Sequence, residues 1–181
     1  MKKLALVLAA LAMALPAAAQ QQPGTRDAGH TKIGLGISII PDTLFVGSLA
    51  APRVDLYLPI QISPQLRVEP SLGIRTIDRG TGQVDERDVA LGVGVFFMQP
   101  AVGPLDLYMG GRLKLNFAHV TNPSDSGTDL VIAAAVGGEY YFVPRFSIGL
   151  EGQLGFYQNS TISGDDSGLF TNGLAFLRVY F

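Results

Sequence analysis

Cysteine is absent from the 181 residues of the chain. This absence excludes a structural disulfide framework and a lipid-modified amino-terminal cysteine. Basic charge is also scarce, because 13 Lys and Arg face 15 Asp and Glu, for a net charge of −2. A chain without a basic excess lacks the electrostatic surface that nucleic acid requires. We therefore expect no nucleic-acid partner.

The amino terminus has the pattern of a secretory signal. Lys2 and Lys3 precede an apolar run that lasts from Leu4 to Pro16, and the small residues 17–19 form a cleavage site before Gln20. The run is shorter than the roughly 20 apolar residues of a membrane-spanning helix. We predict a signal peptide over 1–19, a short periplasmic linker over 20–30 and one domain over 31–181, with a net charge of −4 after cleavage.

Long amphipathic helical patterns are lacking after the signal, and 22 glycines with 48% apolar residues do not fit a disordered chain. Instead, apolar residues alternate with polar or small residues in eight segments. Such a period of two is typical of β-strands with two different faces. The predicted strands cover residues 31–40, 53–62, 66–75, 88–98, 105–117, 130–142, 146–157 and 174–181.

The predicted connections alternate between long and short. They cover residues 41–52, 63–65, 78–87, 99–104, 118–129, 143–145 and 158–169. An even number of strands with this alternation predicts an all-β fold, an eight-stranded antiparallel up-and-down barrel with both chain ends on the side of the short turns.

The period of two alone does not decide which face is outside, because a soluble ligand-binding barrel also alternates. The face that carries the charges is rich in Gly and Ala, as a narrow lumen requires, and the other face is nearly continuous Ile, Leu and Val. Its aromatic residues lie at the strand ends, as interfacial girdles do: Phe97, Phe117, Tyr140, Phe142, Phe146, Phe156 and Phe181. We therefore predict a transmembrane barrel whose apolar face contacts lipid.

The closing strand ends with Leu177, Val179 and Phe181 on one face. In this pattern the mature chain resembles the eight-stranded outer-membrane β-barrel family, which includes OmpA-like and opacity-like proteins. The resemblance implies a bacterial outer-membrane location, with periplasmic termini and extracellular long loops. It also implies that these three residues form an assembly signal that the barrel-assembly machinery reads. The other implied partners are the periplasmic chaperones that carry the chain before assembly, and the outer-membrane lipid and lipopolysaccharide that surround the inserted barrel.

Charged side chains fall on the face predicted to line the lumen. An outer layer contains Arg53, Asp55, Arg75, Asp88, Arg112 and Lys114, and an inner layer contains Lys32, Arg67, Glu69, Asp106, Glu139 and Arg178, with Glu151 nearer the middle. Buried charges need partners. We predict a lumen ion-pair network, with Arg75 beside Asp88 and Glu151 opposite Arg178.

Three further activities have only weak support in the sequence. His119-Val120-Thr121-Asn122 faintly resembles the His-x-Ser-Asn element of lipid A deacylases but has Thr in place of the nucleophile. Acidic loop residues at 125, 129, 165 and 166 would suit Ca²⁺, although solvated acidic loops are commoner. Eight strands leave a lumen that side chains fill, so at most small ions leak through.

We expect no cofactor and no enzyme activity. The family resemblance implies an envelope-structural or surface-adhesion role, with a possible extracellular ligand bound through the loops. A lipid-modifying enzyme, or a narrow ion-leaking barrel, is the alternative.

Overall fold

The structure is a computed structural model that describes residues 33–38, 54–78, 80, 85–101, 103–121 and 124–181. The predicted signal and linker, Lys32, Arg53 and the loop 41–52 lie outside these residues. No helix within the described ranges is long and apolar enough to cross a membrane. The strands are β1 (Gly34–Ser38), β2 (Asp55–Tyr57), β3 (Ile60–Ser63), β4 (Leu66–Ile77), β5 (Glu86–Pro100), β6 (Leu105–Val120), β7 (Asp125–Val143), β8 (Phe146–Gln158) and β9 (Ser167–Tyr180).

The strands form one closed antiparallel sheet. Each strand from β3 to β8 pairs with the next strand along the chain. β9 pairs with β1, β1 pairs with β2, and β2 also pairs with β4. β2 and β3 are one barrel strand interrupted at Pro59, which has no N–H to donate. Backbone bonds still bridge the interruption, from Leu58 N to Pro70 O and from Gly34 N to Pro59 O, both 2.9 Å. The barrel therefore has eight strands, which confirms the predicted fold class.

The two faces of the barrel wall have opposite chemistry. Apolar side chains point outward and are exposed, among them Leu91 at 51% and Leu150 at 65%. Charged side chains point inward and are buried, and Arg67 and Glu69 have no exposed surface. A soluble barrel would have the reverse arrangement. The prediction of an outward apolar face is therefore confirmed.

The outward aromatic side chains lie toward the strand ends, as predicted. At the end of the barrel that carries the β7–β8 turn, the Tyr140 and Phe142 rings meet edge to face at 5.3 Å, and Phe142 stacks on Phe146 at 5.8 Å. Aromatic rings concentrated at this depth are typical of the boundary between lipid tails and headgroups.

The prediction of a long loop over 118–129 is wrong. β6 continues to Val120 and β7 begins at Asp125, with Ala118 opposite Gly127 and His119 opposite Ser126. The polar composition of this segment suggested a loop, but a hairpin that projects into water can be polar on both faces and still keep its ladder. The connection 121–124 is consequently as short as the turn 101–104, and the predicted alternation of loop lengths fails there.

The segment 158–169 is also shorter as a loop than predicted. β8 extends to Gln158, β9 begins at Ser167, and a 3-10 turn at Thr161–Ser163 lies between them. A backbone hydrogen bond joins the two ends of this loop, in which Asn159 N donates to Asp166 O at 2.8 Å.

Candidate functional site: the barrel lumen and its outer rim

Six buried charged side chains meet in the middle of the lumen, and we call them the central cluster. They come from five strands that are brought together only by barrel closure, and their three guanidinium groups balance their three carboxylates. The members are Arg67, Glu69, Arg112, Glu139, Glu151 and Arg178.

The central cluster is a continuous chain of ion pairs. Glu139 accepts from Arg67 Nη1 at 2.6 Å and from Arg178 Nη1 at 2.8 Å. Arg178 Nη2 donates to Glu69 at 2.6 Å, and Glu69 accepts in turn from Arg112 at 2.6 Å. Arg112 ends the chain with two bonds to Glu151, at 2.6 and 2.7 Å. Because each charge has an opposite charge within hydrogen-bond distance, the desolvation cost of burial is offset in every pair.

The predicted pair between Glu151 and Arg178 is wrong. Glu151 lies opposite Leu174 across β8 and β9, and Arg178 lies opposite Ser147. The prediction folded this hairpin about the middle of a loop over 158–169, whereas the actual loop occupies 159–166, and the residue opposite Glu151 lies four positions before Arg178. Glu151 instead meets Arg112, which lies two strands away across β7.

The assignment of Arg112 to a separate outer layer is also wrong, because its guanidinium bridges Glu69 and Glu151. Asp106 is buried nearer the short-turn end and lies opposite Glu139 across β6 and β7. The lumen is therefore organised around one neutral cluster rather than two charged layers.

Aromatic rings pack against the guanidinium groups, a feature that the sequence did not suggest. Arg178 lies 3.6 Å above the ring centre of Phe176, and Arg112 lies 4.7 Å from Phe96 and 5.0 Å from Tyr57. A desolvated cation is attracted to the face of an aromatic ring. The alternation of the strands could have revealed this feature, because these aromatic residues occur at the same alternate positions as the charged residues and therefore face the lumen.

A smaller charged group lies toward the loop end. Lys114 Nζ contacts Asp55 at 2.6 Å, and Arg75 Nε donates to Asp88 at 2.6 Å. The register places Arg75 directly opposite Asp88, so this predicted pair is confirmed. Arg75 also lies 3.6 Å from Glu86.

The β8–β9 loop folds across the mouth of the lumen at the end opposite the carboxyl terminus. Asp129 is buried there and accepts from Ser160 N and Oγ, both at 2.7 Å, from Ser163 Oγ at 2.9 Å and from Asn116 Nδ2 at 3.0 Å. Gly127 makes this packing possible, because a β-carbon there would overlap Ser160. The loop is therefore fastened to β7 by a carboxylate whose hydrogen bonds are satisfied inside the protein.

Two of the carboxylates considered as Ca²⁺ ligands, Asp129 and Asp166, form hydrogen bonds within the protein. Asp129 is engaged by the serines of the loop, while Asp166 accepts from Tyr157 at 3.2 Å and from Asn159 at 2.7 Å. In the described part of the chain, no three His, Cys, Asp or Glu side chains are grouped to hold a metal ion.

His119 lies on the outward face near the carboxyl-terminal end of β6. Its Nδ1 contacts Ser126 Oγ at 2.9 Å, rather than the Thr121 hydroxyl that the deacylase-like pattern required. The Thr121 hydroxyl instead accepts from Asp85 N at 3.1 Å. No carboxylate of the described residues contacts His119, so the triad of a serine hydrolase is incomplete there.

The carboxyl-terminal residues lie on the strand that closes the barrel. Val179 is opposite Leu35 and Leu177 is opposite Ile37 across β9 and β1. Phe181 is 78% exposed on the outward side, and its N–H donates to Ile33 O at 2.9 Å.

Comparison with known proteins yields no matching family model and no matching curated protein. Among solved structures, the Neisserial surface protein NspA is 16% identical, with a TM-score of 0.57 over 86% of this chain and all of that one. Ail, the attachment invasion locus protein of Yersinia pestis, solved with the heparin analogue sucrose octasulfate, is 14% identical, with a TM-score of 0.53 over 84% of this chain and 99% of that one. These likenesses concern the fold: the chain is an eight-stranded antiparallel β-barrel of the outer-membrane type.

Proposed function

We propose that this chain is an integral protein of a bacterial outer membrane that anchors surface-exposed loops for envelope stability or attachment, and that it has no enzyme activity. The observation that carries the proposal is the inverted chemistry of the wall, with an exposed apolar exterior and a buried ionic interior. In water such an exterior would drive aggregation, whereas in a bilayer it is the surface that lipid tails solvate. The fold likeness to NspA and Ail supports the same location.

The proposed orientation rests on the turns that lie at the same end as the carboxyl terminus. Turns 64–65, 101–104 and 144–145 lie at the same end as the carboxyl terminus, and the β8–β9 loop lies at the other. Outer-membrane barrels have short turns on the periplasmic side. We therefore place the termini in the periplasm and the β4–β5, β6–β7 and β8–β9 connections outside the cell.

The lumen supports an anchoring role rather than a transport role. The central cluster and its aromatic partners are buried inside the barrel, so a solute would have to displace ion pairs in order to pass. Breaking a buried pair costs about 3 to 5 kcal/mol. We therefore expect planar bilayers containing the protein to show no stepwise conductance above the lipid baseline, and regular steps would favour the ion-leaking alternative.

The proposed surface role is inferred by analogy with two proteins of similar fold. Ail is named for attachment and invasion, and NspA is named as a surface protein. In this chain the exposed candidates for contact are Ser124 beside the β6–β7 turn and the β8–β9 loop, in which Thr161, Asp165 and Asp166 are exposed.

The test compares cells that carry the wild-type protein, no protein, or a variant in which residues 161–166 are replaced by Gly and Ser. A matched control changes the periplasmic turn at Arg145. We expect deletion to reduce either adhesion to host cells or resistance to detergent, and loop replacement to reproduce only the adhesion defect. If deletion changes neither property, the proposed role is wrong.

A lipid-modifying enzyme is the second candidate, because the His119–Ser126 contact lies on the lipid-facing side. Mass analysis of lipid A from cells with and without the protein decides this point. We expect identical profiles, and a loss of one acyl chain that depends on Ser126 would establish the enzyme.

A further inference from the structure

Arg87 is an exposed cation on the outer wall of the barrel. It lies two residues beyond Val89 on β5, at the point where the outward apolar side chains of that strand end. Within the described residues its guanidinium forms no ion pair, in contrast to Arg75, which is paired inside the lumen. An arginine at the edge of an apolar band has its donors available to a group from the membrane.

Two further polar side chains form a row with Arg87 across the neighbouring strands β6 and β7. His119 lies directly opposite Arg87 across β5 and β6, and Ser126 lies opposite His119 across β6 and β7. Side chains directly opposite each other in a sheet have β-carbons about 4.5 to 5.5 Å apart. Arg87 and His119 can therefore contact one ligand together.

The contact between His119 and Ser126 determines which atom of the His119 ring can donate a hydrogen bond to a ligand. When the Ser126 hydroxyl donates to Nδ1, the neutral imidazole carries its proton on Nε2. Nε2–H is then a donor that no group in the described chain uses. The neighbouring carboxylates in sequence are engaged elsewhere. Asp125 accepts from the Ser126 amide at 2.8 Å, and Asp88 and Glu86, which flank Arg87, lie 2.6 and 3.6 Å from Arg75.

We propose that Arg87 and His119 bind a phosphate group of an outer-leaflet lipid, with Ser126 orienting the imidazole. A guanidinium binds phosphate through two parallel hydrogen bonds, and the imidazole N–H supplies a third. The row lies just beyond Val89 and Phe117, both of which are exposed to the lipid tails, so it reaches the depth of the headgroups. The site deepens the proposed membrane location and rests on it.

The test uses the full-length protein in nanodiscs that contain either bisphosphorylated lipid A or the same lipid after enzymatic removal of its phosphates. Native mass spectrometry counts the lipid molecules retained when the nanodisc is stripped. Variants Arg87→Gln and His119→Gln weaken the site, and Arg145→Gln, which changes an exposed cation at the opposite end, is the matched control.

We expect the wild type and Arg145→Gln to retain phosphorylated lipid A, and Arg87→Gln to lose it about tenfold, as one charge-assisted hydrogen-bonded contact of about 1.4 kcal/mol predicts. His119→Gln should give a smaller loss. Equal retention by Arg87→Gln, or equal retention of the dephosphorylated lipid, would overturn the site. Displacement of the lipid by millimolar inorganic phosphate would show a site for free anions and would overturn the lipid assignment.

Insertion is measured first, by heat-modifiable gel mobility of each variant. If the wild type does not insert, the membrane location and this site both fail. If it inserts but retention does not depend on phosphate, only the site fails.

Discussion

Arg112 and Glu151 are joined by two hydrogen bonds inside the lumen, so their coupling is an informative stability prediction. Replacing Arg112 with Met leaves Glu151 with only Tyr108, at 3.1 Å, and Gln153, at 2.7 Å. Removing one partner of a buried pair costs about 3 to 5 kcal/mol. Replacing Glu151 with Gln should cost about as much, whereas the double variant should cost far less than the sum, with a coupling of about 2 to 3 kcal/mol.

The matched control is the pair Glu151 and Arg178, which share no hydrogen bond and are connected only through Arg112 and Glu69. Its coupling should stay below about 1 kcal/mol. Both double-mutant cycles are read from urea unfolding in lipid vesicles, with folded and unfolded forms separated by heat-modifiable mobility. Additive effects in the Arg112–Glu151 cycle would mean that water solvates each charge independently, and equal couplings in both cycles would contradict the observed register.

Three further predictions follow from the strand ends and the close contacts. Deleting Phe181 should slow or abolish insertion while export continues, because an uncaptured closing strand leaves an open edge in lipid, and wild-type yield in the outer-membrane fraction would contradict this. A tag inserted after Ser124, in the β6–β7 turn, should be labelled on intact cells, and labelling only in opened cells would invert the topology. Gly127→Val should loosen the β8–β9 loop and destabilise the barrel by about 1 to 3 kcal/mol, because its side chain would overlap Ser160. Faster proteolysis within 161–166 would report that loosening, and a cleavage rate equal to that of the wild type would argue against it.

Much of the barrel follows from local pattern. Alternation by two assigns each side chain to one of two faces, and it placed Glu69 and Leu91 correctly on opposite faces without any knowledge of pairing. The Arg75–Asp88 pair was predictable because β4 and β5 are neighbours and both residues lie close to their connection, so little register error accumulates.

The contacts across the lumen were not predictable in this way. Glu151 pairs with Arg112, two strands away across β7, and that contact depends on the registers of two successive hairpins and on strand stagger rather than on one hairpin alone. The β8–β9 register depended on the 3-10 turn, which Asp129 fastens through bonds that no local pattern reveals. The inward position of Phe176 was visible from parity, but its role as a surface for Arg178 was not.

The central claim is that the apolar face of the wall contacts lipid and the charged face lines a closed lumen. Because the chain has no cysteine, a single spin label can be placed at Leu91, which is 51% exposed, or at the neighbouring Ala90, which is 1% exposed. In lipid vesicles the label at 91 should collide freely with oxygen and be protected from a water-soluble nickel chelate, while the label at 90 should be immobile and shielded from both. Strong collision of the label at 91 with the nickel chelate would place that face in water and would contradict the account.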